Sequence, residues 1–471
     1  MKADPRITEE MANFVASVRN EDVSPEVQYI AKRCFIDGIG VILAGATEEC
    51  TRILLDYVRS VAGKKESTVL GKGRTKAPAH LAALVNGTAG HSMDWDDTVL
   101  PRTPDRAVLI HPTLAPLAAG LAIGEKLDAS GQELLTAFVV GFEIECKVAE
   151  AIHPDHWLRG YHTSSTVGVF GAATAAAKLM GLPVKQVSNT IGIAASFASG
   201  LMVNFGTMVK PLHAGLAAEN GIVSAQLAAK GFEAHPEAME AHRGFFYAFA
   251  GGFDPDRIAG KLGRPFHILD PGVSIKPYPC GVVGHPAMDG MLKLVIENDV
   301  RPEQVEHVKV STGSNVLPPK GPLRYGKAQT ALQGKFSVPF MVASIIVHRK
   351  AGVMEFIDAF VQSPAVQEMM DRIETFLDPE IDALGMDKIV TLIEMRLKDG
   401  KVLRGRSPEH YRGGPRNPLS REELAEKFND CVQQTLNPKQ ARKLLKAIES
   451  LESLNSVRTL TRLATGSAGP R

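Results

Sequence analysis

Three acids crowd into four residues of the stretch HSMDWDDT, as Asp94, Asp96 and Asp97, with His91 before them and Thr98 behind. A soluble chain needs no such cluster to fold. Carboxylates beside a histidine can hold a metal, protonate a substrate or orient an imidazole. Four further polar islands interrupt an apolar sequence. They are His111-Pro112; RGYHTSST, with Arg159 and His162; GTMVKPLHAG, with Lys210 and His213; and SIKPYPCGVVGHP, with Lys276, Tyr278 and His285. Several open predicted helices, where free backbone N–H groups and the helix dipole attract anions. Added lysines and histidines describe a pocket for a small molecule bearing several carboxylates. Its positive groups would be Lys210, Lys276, His111, His162 and Arg159.

Other chemistries fit less well. DWDD matches a DxDD pattern by which helical cyclases protonate olefins. A carbocation needs aromatic walls, and aromatic residues are only 6% of this chain. Mg²⁺ suits carboxylates but would leave the lysines and histidines without a role. His153 and His156 have the spacing of a zinc pair on a helix, but Pro154 between them breaks that geometry. No metal is expected.

The elements that must carry these islands are mostly helical over the first 270 residues. SPEVQYIAKRCFIDGIGVILAG has Ser24 as N-cap, Pro25 in the first turn and Gly45 at its end, a strong helix signature. HPTLAPLAAGLAIGEKL, GQELLTAFVVGFEIECKVAEAI, SSTVGVFGAATAAAKLMGL and PLHAGLAAENGIVSAQLAAKGF follow, rich in Ala and Gly. Mid-helix glycine costs about 1 kcal/mol against alanine, so close helix packing or ligand approach is expected. Beyond residue 270 the pattern changes. EHVKVSTG alternates as a strand, and KIVTLIEMRLKDGKVLRGRS reads as a hairpin turning at Asp399-Gly400. Between them AQTALQGKFSVPFMVASIIVHRK and SPAVQEMMDRIETF read as helical. From SREELAEKF, with Ser420 and Glu423 as a capping-box pair, helix returns. The expected architecture is a discontinuous helical domain, residues 1–270 and 411–471, with an α+β domain at 271–410. The terminal ATGSAGPR is expected to be disordered.

Composition narrows the partners. Of 471 residues, 44% are hydrophobic and 22% charged, and the formal net charge is +1. That balance argues against nucleic acid or an anionic membrane surface. Five separated cysteines without a CxxC point to a reducing, cytoplasmic setting, and no signal-peptide core or membrane span is read.

Taken together, the islands resemble the MmgE/PrpD family, which includes 2-methylcitrate dehydratase, cis-aconitate decarboxylase and iminodisuccinate epimerase. HSMDWDDT, GYHTSSTVGVFGAA, MVKPLHAGLAAENG and KPYPCGVVGHPAMDG carry the likeness, within a match running from FIDGIGVILAG to EELAEKF. The resemblance implies a helical domain with a smaller α+β lid, a homodimer, no cofactor and a polycarboxylate substrate. By matching motifs it places Asp94, Thr98, His111, His162, Lys210 and Lys276 in the active site. One departure is the twelve-residue link VLPRTPDRAVLI between Thr98 and His111, longer than is usual for decarboxylases and dehydratases, which would line or resize the cleft.

The shared chemical problem is a carbanion beside a carboxylate. It needs a positioned proton shuttle and strong stabilisation of the added charge. His162 or His111 suits the first task, and Lys210 and Lys276 the second. Asp94 and Thr98 would orient a histidine or bond the substrate, Arg159 and Tyr278 would bind substrate, and Asp96 and Asp97 would be structural or would support the residues that touch substrate. Loss of hydroxide makes the enzyme a dehydratase, loss of CO₂ a decarboxylase, and return of the proton to the other face an epimerase. The same residues serve all three; the resemblance implies dehydration of a 2-methylcitrate-like acid first, as the family's commonest assignment, and the longer link after Thr98 puts epimerisation second. The competing class is a non-catalytic binding protein on the same fold. Replacing Lys210 by Ala separates the two if it abolishes turnover and leaves the melting temperature unchanged.

Overall fold

The computed structural model describes residues 6–61, 63–73, 75–100, 109–384 and 388–466. It is mainly helical, with a small mixed sheet in the C-terminal part. The chain divides into two compact units. The first holds residues 6–100, 109–273 and 422–466, and the second is Ser274–Arg421. Most of the long link after Thr98, and the end of ATGSAGPR, lie outside the described residues.

In the first unit, Gly168–Leu179 is the central helix, buried on all sides from Gly168 to Ala177. Leu114–Leu127, Gly131–Ile152 and Val209–Ala229 pack around it. A helix apolar on every face can be stable only as such a buried core. Two caps act as the local sequence requires. Ser24 accepts a hydrogen bond from the Val27 N–H ahead of Pro25–Gly45. Ser130 and Glu133 form a reciprocal capping box on Gly131–Ile152, satisfying N–H groups that a helix start leaves unpaired.

The crossing that matters most for function joins Ala79–Ser92 to Val209–Ala229. At Gly87 an added Cβ would lie 2.9 Å from the Ala214 carbonyl oxygen, and at Gly215 2.3 Å from that of Leu84. Glycine at these two positions lets the backbones touch, as close helix packing requires. The C-terminal segment closes the unit. Lys427, on Arg421–Val432, pairs with Asp37 and donates to the Trp95 carbonyl at 2.8 Å. Residues far apart in sequence thus clamp the turn that carries the acids.

The second unit contains a four-stranded sheet in the order Ile373–Leu377, Val305–Thr312, Leu392–Leu397, Val402–Arg406. The first pair is parallel and the others antiparallel. Val308 and Val310 face inward while Lys309 faces solvent, the period-two pattern of a half-buried strand. The hairpin turns at Asp399-Gly400, with Gly400 at φ +86. His285–Glu297 and Val338–His348 pack together, and the first covers the hairpin strands. Two helical expectations need correction. SPAVQEMMDRIETF is helical only to Met370, and Ile373–Leu377 is a strand. Its β-branched and aromatic residues pair with Val305–Thr312, and that tertiary pairing decides the conformation. AQTALQGKFSVPFMVASIIVHRK breaks at Lys335–Ser337, where Ser337 caps a second helix by accepting from the Phe340 N–H.

Candidate functional site

The helix Ala79–Ser92 ends one residue before the acidic stretch. Asp94 follows in the left-handed conformation, φ +53, which aspartate tolerates better than most residues. The chain reverses there, so the acids point in different directions. Asp94 accepts from the Lys210 ammonium at 2.6 Å. Asp96 Oδ2 lies 2.8 Å from His91 Nδ1 and 3.1 Å from His111 Nδ1. Asp97 accepts from the Thr113 hydroxyl at 2.6 Å.

Val209–Ala229 brings the other half. Lys210 sits in its first turn and His213 almost one turn on, a spacing that shares a helix face. Lys210 Nζ lies 5.5 Å from the centre of the Phe205 ring. His213 Nδ1 is 2.9 Å from His162 Nδ1, so one of the two nitrogens holds a proton and the other a lone pair. His162 precedes the short helix Thr163–Thr166. Its ring stacks on His91 at 5.6 Å and meets His111 edge-on at 6.5 Å. The backbone N–H of His111 donates to Ser164 Oγ at 3.0 Å. Four imidazoles, one ammonium and two carboxylates therefore meet in one buried patch of the first unit.

Burial sets the charge state. It lowers His91 to about 3 despite the neighbouring Asp96, and His213 to about 4 with help from Lys210. His162 is also held well below an ordinary histidine, first by burial and then by His91 and Lys210. Burial alone would raise Asp96, but His91 and His111 overcome it and hold that carboxylate well below its usual range. Asp97 goes the other way, raised by burial and by Asp37. At neutral pH these three imidazoles are neutral, and Asp96 is ionised.

Among the expected site residues, Asp94, His111, His162 and Lys210 come together. Thr98 is spent elsewhere: its hydroxyl donates to the Ile110 carbonyl at 3.0 Å, beside the Val99–Ile110 bridge that pins the stem of the long link. Arg159 is exposed, with its guanidinium against Gly251, because the left-handed Gly160 reverses the chain before Tyr161. Lys276 and Tyr278 belong to the second unit. Lys276 is buried there, on a segment held by the Ile275 N–H to Gly413 carbonyl bond. The Tyr278 hydroxyl donates to Asp289 at 2.8 Å and accepts from Arg412 at 2.9 Å. Burial and then the Asp289 charge hold that phenol well above its ordinary range. Its polar atom is thus committed inside the unit rather than free for substrate.

Residue types made no strong individual case for His91 or His213, and left Asp96 as structural or as a support for the residues that touch substrate. Asp94 meets Lys210, and Asp96 meets His91 and His111. Its signal was present, since His91 and Asp96 flank a helix end, but only a left-handed Asp94 folds the one back on the other. His156 bonds Thr166 Oγ1 through Nε2. Among the described residues, His91, Asp96 and His111 are the group with donor atoms close enough for a metal, within 4.8 Å of one another. His111 Nδ1 also lies 2.8 Å from the Asp97 carbonyl. A carbonyl there takes a proton from nitrogen, which a metal-bound nitrogen does not carry. The trio fits hydrogen bonding better than ligation.

The comparisons with known proteins agree on one family. The model of the MmgE/PrpD N-terminal domain matches residues 9–258, and that of the C-terminal domain residues 278–453. The chain is 30% identical over 470 residues to cis-aconitate decarboxylase of Homo sapiens, spanning 98% of this chain and 95% of that one. It is 28% identical to the Mus musculus cis-aconitate decarboxylase, over 98% and 93%. Against the Aspergillus terreus cis-aconitate decarboxylase it is 24% identical, over 93% and 91%.

Proposed function

The chain belongs to the MmgE/PrpD family, and we propose that it is a lyase that removes CO₂ from a small unsaturated tricarboxylate of the cis-aconitate kind. One observation carries the chemistry: Lys210 lies buried among His91, His111, His162 and His213. Such a patch attracts a polyanion and can pass a proton. The relatives' names choose what leaves. The residue types serve all three outcomes, and the family's commonest assignment puts loss of water first; near full-length likeness to decarboxylases moves loss of CO₂ ahead of it.

In the proposed reaction Lys210 exchanges Asp94 for a substrate carboxylate. The bond from the CH₂ carbon to its carboxylate breaks, and CO₂ departs. The electron pair left behind forms a new C=C bond. The old double-bond pair moves to the carbon beside another carboxylate, which takes a proton. Lys210 stabilises the charge that develops on the carboxylate oxygens. His162 or His111 delivers the proton. His162, neutral in the empty site, gains a proton as the polyanion arrives, since nearby negative charge favours imidazolium.

Proton NMR in D₂O tests this directly, with cis-aconitate, 2-methylcitrate, citrate and iminodisuccinate as the panel. The expected result is loss of CO₂ from cis-aconitate, with one deuterium in the new CH₂ group. Loss of water from 2-methylcitrate would replace this reading with a dehydratase. Exchange without net chemistry would replace it with an epimerase. Silence across the panel would favour a binding protein.

A further inference from the structure

Asp96 is fully buried and one of its oxygens, Oδ1, has no hydrogen-bond partner among the described residues. The other serves two imidazoles at once, at 2.8 and 3.1 Å. A carboxylate in such a place is costly unless its neighbours hold it ionised, and the lyase mechanism above gives it no part. We propose that Asp96 is a positioning residue: it holds His91 and His111 with their Nδ1 protons turned inward and supplies the counter-charge when His111 becomes an imidazolium.

The hydrogen-bond partners fix the tautomers. An ionised carboxylate only accepts, so His91 Nδ1 carries a proton and Nε2 a lone pair. His111 Nδ1 faces two acceptors, Asp96 and the Asp97 carbonyl. It too carries the proton, leaving Nε2 to take up and deliver the catalytic one. The two histidines differ in access. The His91 side chain is 0% exposed and that of His111 13%, so His111 is the one a substrate reaches. His91 has a second task. With the Nδ1–H bond it holds the shared oxygen in line, and its ring packs edge-on against His111 at 4.7 Å. Charge balance completes the case. Asp96 Oδ2 lies 3.1 Å from His111 Nδ1, so a proton arriving on His111 meets a negative charge in direct contact with the ring. The arrangement works as a carboxylate behind a catalytic histidine does elsewhere: it orients the ring and stabilises the imidazolium without becoming protonated itself.

This assignment rests on the lyase reading for its rate effect, but not for its geometry, so two measurements separate them. The first needs no substrate. In protein with ¹⁵N-labelled histidine, long-range ¹H–¹⁵N spectra report which ring nitrogen bears the proton, with signals assigned through His91→Gln and His111→Gln. Both rings are expected as Nδ1–H. In Asp96→Asn the amide can donate, and His91 should shift toward Nε2–H while His111, still bonded to the Asp97 carbonyl, does not. A wild-type His91 or His111 found as Nε2–H overturns the proposal, even if Asp96→Asn does not fold. The second is kinetic. Asp96→Asn should lower kcat by about 10²-fold or more, the size of a general acid–base contribution, with KM little changed. Wild-type kcat in Asp96→Asn overturns the proposal. A wild type inactive on the whole panel overturns the lyase reading instead, while the spectra still decide the positioning role.

Discussion

At the scale of single residues, the Lys210–Asp94 pair changes how the site must be probed. Both side chains are nearly buried, at 8% and 7% exposure. Removing one partner of a buried pair strands the other and costs about 3–5 kcal/mol. Lys210→Ala should therefore lose turnover and also melt at a lower temperature, contrary to the expectation from residue types alone. Adding Asp94→Asn should restore much of the stability and none of the turnover, as thermal melting and the CO₂ assay of both variants would show. Lys210 and His162 were legible in their motifs because each stands at a helix start. Their pairing with Asp94 and His213 was not, because contact between helices is not written in either helix. His213 also carries a pH signature. Its folded value of about 4 lies below the ordinary 6.5, so unfolded chains bind its proton first as pH falls. That contribution to stability is complete above about pH 6.5 and is lost between there and about pH 4. Glu143, raised to about 7 first by burial, acts in the opposite sense over about pH 4.5 to 7. His213→Asn isolates the histidine: denaturant unfolding at pH 7 and pH 5 should show a smaller loss of stability on acidification than in wild type.

At the scale of elements, one crossing aligns the two halves of the patch. Ala79–Ser92 delivers His91 and the acidic turn, and Val209–Ala229 delivers Lys210 and His213. Gly215 sits where they touch. A methyl there would meet Thr88 Oγ1 at 2.2 Å and the Leu84 carbonyl at 2.3 Å. Backbone cannot yield as a side-chain tip can, so the helices must part. Gly215→Ala should destabilise the protein by about 1–3 kcal/mol, the usual cost of overpacking. Turnover should fall as well, because Lys210 and His213 move away from Asp94 and His162. Full activity in that variant would show that the crossing does not set the site. Glycine-rich helices could be read as close-packed from the sequence. Which glycine meets which helix could not, since Gly87 and Gly215 are separated by more than a hundred positions and several equally small residues.

At the scale of the molecule, the helical unit is assembled from three separated stretches of chain. Lys427 is the clearest link among them. It reaches Asp37 near one end of the sequence and the Trp95 carbonyl in the acidic turn, with side-chain exposures of 4% for the lysine and 1% for the aspartate. Lys427→Met should cost about 3–5 kcal/mol and loosen the turn that carries Asp94 and Asp96. Pairing it with Asp37→Asn should recover stability more than activity, because the Trp95 contact stays lost. Unfolding in denaturant, alongside the CO₂ assay, distinguishes the two effects.

What the sequence by itself determined is what local physics can decide: a helix with Ser24 at its start, a hairpin at Asp399-Gly400, and polar islands that do not belong in an apolar scaffold. The family likeness followed from those islands. The tertiary structure decided the rest. It set Asp96 against His91 and His111 and Asp94 against Lys210, since one left-handed residue turns the chain between neighbouring acids. It committed Thr98 and Tyr278 to internal bonds and turned Arg159 outward. It also made a strand of Ile373–Leu377, whose pairing partner lies more than sixty residues earlier. Each of these outcomes depends on groups distant in sequence, and no spacing along one segment encodes them.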